Sequence, residues 1–480
     1  MLTNNTYSKG LECSPTEEET HYLLYYRGWP SSRSMNWMHL CEILNAVQTG
    51  PKSDKALRGK AQTLYRLKRF RKSCELFTKL CKKHPEDISA KNNLREAIAR
   101  LAEQNKGGYN FGKMQEKASK TYPPLLDHAT WIGPVTVRQT KSQGRVLCTT
   151  EAVKGGDLLL CEKAFAYATE HPSKPRWSST LHVNSEARTT TRGGQLALAS
   201  SIIEKLYKTP PLAAAITNLH SLGFKQVSTG LVDGKPVVDT FQVARIVSLD
   251  SFGSPTSSRG DHTYNARDAS GSPERLHNCG IWPYASMINH SCMSNAHRAF
   301  IGDMMIIRAA TDPRKHRPDN VIAMALEKSS EYSHNPAKML IERLTETYPH
   351  PLEQVLRLGL WEPLTLIAGV SDSLKQQNEA MEAVGQALAA VGFVLEGGVE
   401  GLLVKKWGLA MDNLVVAWII LWRSLLEVAP ERAKQAERYA RIAYLICVGA
   451  EESFDATYGM SLKVAHEPHA EEGQVEGWVV

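Results

Sequence analysis

Paired cysteines are missing from this 480-residue chain. Its nine cysteines are an odd number, and none of them belongs to a Cys-x-x-Cys or Cys-x-Cys pair. This pattern argues against a secreted disulfide framework and against a zinc site of the Cys-x-x-Cys type. We therefore predict a reducing compartment, cytoplasmic and/or nuclear.

Long apolar segments are also missing. The longest uninterrupted apolar run, residues 414–422, has nine residues, whereas a helix needs about 20 to span a bilayer. The first 20 residues contain no apolar stretch of the kind that a secretory signal has. The sequence therefore predicts a soluble protein that does not interact with membranes.

A strong excess of charge of one sign is missing as well. The chain has 57 Lys and Arg against 50 Asp and Glu, a net charge of +7. An excess of this size permits an acidic partner without requiring one, and we predict no direct contact with nucleic acid. The length predicts roughly two to four domains.

Two amphipathic segments dominate residues 51–104 and predict a helical hairpin. Leu57, Ala61 and Leu64 form the apolar face of the first segment, and Ser73, Phe77 and Leu80 form that of the second. Pro85 ends the second segment, and AKNNLREAIARL predicts a third helix. The spacing resembles one tetratricopeptide repeat; a plain helical hairpin is the alternative. We predict a lead-in with one helix over residues 1–50 and a polar linker over residues 105–131.

Residues 132–310 are predicted to form a β-rich domain. The segments VTVRQT, RVLCTTEAV and DLLLCEKAFAYA have the composition of strands, and the turn signals KSQG and KGG separate them. Helices are predicted over residues 195–208 and 237–249, as an insert in this domain. The stretch over residues 252–280 is rich in Gly, Ser and Pro and is predicted to be a mobile surface loop.

The most reactive polar cluster is the quartet Asn-His-Ser-Cys at residues 289–292. It follows the apolar segment IWPYASMI and precedes a compact hairpin with a Gly-Asp turn at residues 302–303. Taken alone, the quartet is compatible with a polar turn that caps a helix or with part of a metal site. It is also compatible with a thiol nucleophile at Cys292 that uses His220 or His297 as its base.

The quartet and its surroundings together resemble the signature of a SET domain. The apolar approach, the quartet, Asn295 and the Gly-Asp hairpin agree with that family in order and spacing, and residues 134–168 resemble its opening strands. Helices predicted over residues 337–460 repeat the tetratricopeptide spacing at Leu364, Ala368, Ala380, Val384 and Ala387. The chain thus resembles fungal-type SET proteins with flanking tetratricopeptide helices, related to the SET and MYND class but without the MYND finger. The expected fold is α+β and multidomain: a β-rich SET domain between two helical segments.

The resemblance implies a protein-lysine methyltransferase that uses S-adenosylmethionine and acts on a protein or peptide bearing a lysine. It implies that Gly144 and Arg145, in the opening turn, form one wall of the cofactor pocket, and that Asn289 and His290 form the other. A narrow, dry channel would favour the neutral lysine amine, because burial disfavours its charged form. No catalytic residue is assigned.

The chain departs from that family in two places. Val146 stands where the family's opening turn usually has glycine, so it either adds bulk beside the cofactor or is an ordinary strand residue. Residues 311–336 lack the family's Glu-Leu-Thr strand and its tyrosine, and Tyr332 is not in register for that role. No cysteine lies between Cys292 and Cys447, so no metal site is predicted.

Two explanations of the atypical segment over residues 311–336 are open. The chain is either a relative that has lost the chemistry, or its translation skips or misreads an exon there. The alternative function is a non-catalytic scaffold whose helices bind a protein partner. Residues 461–480 are predicted to be a frayed tail.

Overall fold

The structure is a computed structural model. It describes residues 54–140, 144–169, 181–184, 189–209, 212–219, 231–232, 235–266, 278–290, 294–310, 323–324, 356–398, 401–411, 413–426 and 428–464. The chain divides into two compact units. The described parts of Met1–Tyr109, Asp127–Trp131 and Thr180–Ser251 form the first unit, and those of Asn110–Leu126, Ile132–Ser179 and Phe252–Val480 form the second. The predicted lead-in over residues 1–50 lies outside the described residues.

The elements follow one another along the chain in this order. The first are α1 (Asp54–Arg66), α2 (Phe70–Lys83), α3 (Ile88–Lys106), α4 (Phe111–Lys120), β1 (Trp131–Ile132), β2 (Val135–Thr140), β3 (Gly144–Thr149), β4 (Leu158–Lys163), β5 (Ala166–Ala168), β6 (Leu181–Asn184) and β7 (Thr189–Arg192). Next come α5 (Gly193–Lys208), α6 (Ala213–Thr217), β8 (Leu231–Val232), β9 (Lys235–Pro236), α7 (Thr240–Asp250), β10 (Ser251–Ser254), α8 (Ser258–Ala266) and β11 (Asn278–Ile281). The last are β12 (Asn289–His290), β13 (Ala296–Ile301), β14 (Met304–Ala309), β15 (Ala323–Met324), α9 (Trp361–Ser373), α10 (Gln377–Ala390), β16 (Val394–Gly398), β17 (Gly401–Lys406), α11 (Leu414–Leu426), α12 (Pro430–Val448) and α13 (Phe454–Val464).

The predicted N-terminal hairpin and third helix are confirmed as α1, α2 and α3. Their shared core consists of Ala61, Phe77, Leu80, Ala90 and Ala97. The helices α1 and α2 cross closely where the small residues Ala61 and Ser73 meet. The buried Ser73 hydroxyl donates a hydrogen bond to the carbonyl oxygen of Ala61 at 2.8 Å. Of the predicted helices in the insert, α5 covers residues 195–208, and α7 begins three residues after the predicted start at 237.

The predicted linker over residues 105–131 is wrong for its middle part, because α4 lies there. Asn110 caps this helix by accepting a hydrogen bond from the backbone N–H of Lys113. Phe111, Met114 and Ala118 lie on one face and are buried, so burial of a short apolar stripe offsets the polar composition. In the first unit, the Glu103 carboxylate accepts hydrogen bonds from the Ala129 N–H at 2.9 Å and from the His128 ring.

The predicted strands of the β-rich region are confirmed, and they belong to several small sheets. The largest sheet has the strand order β1-β4-β14-β13, and β10-β11-β5 form a three-stranded sheet. The predicted Gly-Asp hairpin is confirmed: β13 pairs antiparallel with β14, and Ile301 lies opposite Met304. The strands β2 and β3 form a separate antiparallel pair.

The predicted loop over residues 252–280 is wrong in three places. The structure has β10 at its start, then α8, then β11 at its end. Composition suggested a loop, but tertiary contacts hold these elements. The Ser258 hydroxyl accepts a hydrogen bond from the Phe300 N–H at 2.9 Å, and the His262 ring lies 2.7 Å from the Tyr458 hydroxyl. Residues 267–277 lie outside the described part.

The C-terminal helices α9 to α12 surround one large apolar core, as their pattern predicts. Leu364, Ala368, Ala380, Val384 and Ala387, the positions with tetratricopeptide spacing, all belong to this core. The hairpin β16–β17 was not predicted. Buried Leu402 and Val404 alternate with exposed residues, as strand residues do, but the alternating segment is too short to be recognised between two helices. The helix α13 continues to Val464, into the predicted tail. In the part of the chain that the structure describes, no helix is both long enough and apolar enough to cross a membrane.

Candidate functional site

The second half of the predicted cofactor site lies on a short strand. Asn289 and His290 form β12, which pairs in parallel with β15, so that Asn289 lies opposite Ala323 and His290 opposite Met324. Residues 311–336 lack the family's Glu-Leu-Thr sequence, and the described residues 323–324 within them form a two-residue strand beside β12. Pairing needs only backbone groups, so sequence composition did not indicate it.

A buried carboxylate holds the segment that leads into β12. Glu162 in β4 is 3% exposed, and its carboxylate accepts hydrogen bonds from the backbone N–H groups of Tyr284 and Ala285 at 3.1 and 3.0 Å. These groups begin a 3₁₀ turn, Ala285–Met287, that ends two residues before Asn289. A buried acceptor without a donor is costly, so two N–H donors fix the position of this side chain. Glu162 thus fixes the approach to the predicted cofactor wall.

The first half of the predicted site begins β3. Gly144 lies opposite Thr140 and Arg145 opposite Gln139 in the pair with β2. In the described residues no second strand pairs with the other edge of β3. Cα atoms of β3 instead approach those of the 3₁₀ turn to within 8 Å. The strand β3 and the turn that ends two residues before Asn289 are therefore neighbours.

One apolar core joins these elements. Leu147 of β3 and Ala285 of the 3₁₀ turn both belong to it, and Ile288, directly before Asn289, packs against it. Val146, the departure from the family's glycine, is fully buried in β3 opposite Arg138. Its backbone is therefore that of an ordinary strand, which a β-branched residue favours.

The Gly-Asp turn after the quartet holds the segment of residues 124–126 against the hairpin. Gly302 has φ +55°, and a Cβ at this position would lie 2.3 Å from the carbonyl oxygen of Pro124, so only glycine fits without a shift of the backbone. The Asp303 carboxylate accepts hydrogen bonds from the Leu126 N–H at 2.8 Å and from the Lys163 ammonium at 2.6 Å. The turn therefore fastens residues 124–126 to the hairpin.

A buried arginine fastens the other end of the hairpin. Arg308 in β14 is 7% exposed, and burial lowers the pKa of its guanidinium to about 10. It donates to the carbonyl oxygens of Gly449 at 2.8 Å and Gly156 at 2.9 Å, and it lies 5.3 Å above the Phe111 ring. Gly449 ends α12, where a cation complements the helix dipole. The hairpin is thereby joined to both α4 and α12.

The described residues also bear on the three other interpretations of the quartet: a helix cap, a thiol nucleophile and a metal site. A helix cap is excluded for the described residues, since β13 and not a helix follows the quartet. Burial lowers the pKa of His297 in β13 to about 4. Cys292 and His220 lie outside the described residues, so the nucleophile interpretation is untested. Within the described ranges, no three His, Cys, Asp or Glu side chains are grouped to hold a metal ion.

Sequence reasoning missed three buried charged residues that position the site. Glu162, Asp303 and Arg308 are each at most 7% exposed. The available signal was their place within apolar strands or beside a turn, as in DLLLCEKA and GDMMIIRA. A charge in such a position has to be paired or hydrogen-bonded, so it indicates a fixed contact.

The described parts of β3 and β12 offer hydrogen-bonding groups to a polar ligand. One edge of β3 has no strand partner in the described part, and the half-buried Asn289 follows the turn that β3 approaches. Backbone groups from β3 and an amide side chain from β12 are the donors and acceptors that such a molecule requires. No general base is assigned among the described residues of these elements.

Comparison with known proteins gives one informative similarity. The chain is 31% identical over 478 residues to a curated protein named "Methyltransferase" from Gibberella zeae. The match covers 86% of this chain and 65% of that protein, so the chain spans a little less than two thirds of its relative. No protein-family model matches the chain. The similarity indicates a relationship to methyltransferases.

Proposed function

We propose that this chain is a SET-type methyltransferase that binds S-adenosylmethionine between β3 and β12 and acts on lysine side chains of a protein or peptide. The observation that carries the proposal is the approach of β3 to the turn before Asn289. The Asn-His-Ser-Cys quartet, its anchored hairpin and the name of the Gibberella relative also support it.

In this proposal β3 and β12, the two walls of the cofactor site, have separate roles. The edge of β3 that faces away from β2 binds the cofactor through backbone groups, beginning at Gly144, where no Cβ restricts the approach. The Asn289 amide donates to and accepts from the polar parts of the cofactor. Glu162 keeps the preceding turn in place, so Asn289 needs no reorganisation when the cofactor binds.

When bound, S-adenosylmethionine supplies an electrophilic methyl group on a sulfonium. The chain's part is to align a lysine amine with it, since alignment accounts for much of the rate of such a transfer. Burial of the amine would lower its pKa and favour the neutral, nucleophilic form. No described residue is assigned to orient the amine, and the family's tyrosine has no counterpart in register in the sequence.

Isothermal titration of the full chain with S-adenosylmethionine tests the proposal. We expect one binding site and a higher midpoint of thermal unfolding in the presence of the cofactor. Asn289→Ala should weaken binding about tenfold, the effect of one lost hydrogen-bonding side chain in a ligand site. Asn92→Ala, at an exposed position of α3, is the matched control and should bind as the wild type does.

Two results would contradict the proposal. Absence of both binding heat and a thermal shift in the wild type would leave the non-catalytic scaffold as the better description. Equal affinity of the wild type and Asn289→Ala would exclude Asn289 from the cofactor wall. Cofactor binding without methyl transfer to any lysine-containing protein tested would support the loss of chemistry in residues 311–336.

A further inference from the structure

The positive charge of this chain is concentrated in its N-terminal hairpin. Residues 54–84, which contain α1 and α2, have eleven Lys and Arg against two Asp and Glu, a net charge of +9. The whole chain has a net charge of only +7, so the other 449 residues sum to −2. The modest overall charge therefore conceals a local excess.

Most of these cations are on the surface. The exposed ones are Arg66, Lys68, Arg69, Arg71, Lys72, Lys79, Lys82 and Lys83, and we call them the basic surface. Glu75 is the single exposed acidic residue in the same stretch, and the half-buried Asp54 pairs with Lys83 at 2.6 Å and with His84. The two acidic residues of the hairpin therefore neutralise little of its charge.

The basic surface follows one side of α2. Lys72, Lys79 and Lys83 are spaced i, i+7 and i+11, which puts them within about 40° of one another along about 16 Å of helix. The residues that α2 buries are Phe70, Ser73, Phe77 and Leu80. At 100° per residue these lie about 80° to 160° around the helix from Lys72. Packing within the hairpin therefore leaves the cationic side outward.

The start of α2 increases the positive potential further. Arg69 is the N-terminal capping position, and Arg71 and Lys72 lie in the first turn without any acidic residue. The N-terminus of a helix carries partial positive charge and is stabilised by anions, so cations there are unfavourable without a partner. This departure from the usual charge pattern is expected at a site selected for binding rather than for stability.

The basic surface has no apolar anchor. None of the large hydrophobic residues that are exposed in the described part lies between residues 54 and 84. Protein partners are usually held by buried aromatic and aliphatic anchors, whereas a phosphate backbone needs only cations. We propose that the basic surface binds the phosphate backbone of nucleic acid without sequence specificity. This inference does not depend on the proposed methyltransferase function, and it revises the expectation drawn from the overall charge.

Fluorescence anisotropy of the full chain with a labelled, mixed-sequence DNA duplex over a series of salt concentrations tests this proposal. The variant combines Lys72→Ala, Lys79→Ala and Lys82→Ala. All three positions are exposed and alanine favours helix, so the hairpin should remain folded. Loss of three phosphate contacts should weaken binding more than tenfold at low salt. It should also reduce the slope of log K against log salt by about 2.7.

The matched control removes three lysines from another exposed helix face. Lys113→Ala, Lys117→Ala and Lys120→Ala in α4 change the net charge by the same amount and should leave the salt slope unaltered. An equal loss in this control would overturn the proposal, because it would show a general effect of net charge. Binding of poly-glutamate without binding of the duplex would overturn it in favour of an acidic protein partner.

Discussion

The N-terminal hairpin α1–α2 and the C-terminal helices α9–α12 both bury small residues, such as Ala61 and Ala368, but the helices of the two regions bury very different fractions of their surface. The helix α2 buries four of its 14 residues and exposes cations on its other side. The helix α11 buries ten of its 13 residues, including Trp418 and Trp422. A helix that is apolar on all sides has to be surrounded, whereas one with a single apolar stripe needs one partner face.

Capping does not follow the same division. Asp87 caps α3 by accepting a hydrogen bond from the Ala90 N–H at 2.9 Å. The helices α2, α9, α10 and α12 all begin without a side-chain cap. A cap satisfies a backbone N–H that the helix itself leaves without a partner, so it contributes locally whatever the size of the nearby core.

The largest effect should come from the C-terminal core. Trp418 is fully buried, and its ring lies 5.1 Å from that of Tyr439 and 5.9 Å from that of Phe393. Trp418→Ala should lower the free energy of unfolding by about 3–5 kcal/mol, measured by denaturant unfolding followed by circular dichroism. Trp418→Phe should cost clearly less, since the indole N–H has no partner within the described residues. Equal costs for the two variants would show that the ring's volume is not what matters.

An intermediate effect is expected where α1 and α2 cross. Ala61 is fully buried, and its carbonyl oxygen accepts from Ser73, so a larger side chain has to separate the helices. Ala61→Leu should cost about 1–3 kcal/mol by overpacking, measured by the same unfolding experiment. The control is Ala102→Leu at an exposed position of α3, where no loss is expected. A neutral Ala61→Leu would mean that the two helices do not cross as closely as described.

The smallest effect concerns the cap of α3. The ion pair with Arg58 and the hydrogen bond from Ala90 lower the pKa of Asp87. A carboxylate with a lowered folded pKa stabilises the fold above its unfolded pKa of about 4, and this contribution disappears as the pH falls through the folded value. The difference in unfolding midpoint between the wild type and Asp87→Asn should therefore shrink below about pH 4. A difference that is constant with pH would exclude ionisation of Asp87 as its cause.

Local pattern was sufficient for some elements and not for others. The hairpin β13–β14 is specified by two apolar runs around Gly302, whose left-handed backbone favours glycine. The helix α4 has a cap and an apolar stripe in its sequence, but both are short and lie among turn-forming residues. The helix α8 has no such stripe, and its position follows from contacts with distant residues such as Tyr458.

The candidate site could be predicted only through a family resemblance. Gly144 and Asn289 are separated by more than 140 positions in the sequence, and no local pattern relates them. In the structure, Leu147 of β3 and Ala285 of the turn before Asn289 belong to one core, and Ile288 packs against it. Glu162 was overlooked because a charged residue is normally exposed, and its burial depends on backbone N–H groups from another segment.

By itself, the sequence determined the helices with clear apolar periodicity, the strands with their turns, and the concentration of positive charge in residues 54–84. These features depend on neighbours a few positions apart, and such interactions are encoded locally. Only the tertiary structure decided that β3 lies beside the turn before Asn289, and that Glu162, Asp303 and Arg308 are buried at fixed partners. Those contacts join residues far apart in the chain, and they form only when burial of a shared apolar core offsets the entropy of bringing the segments together.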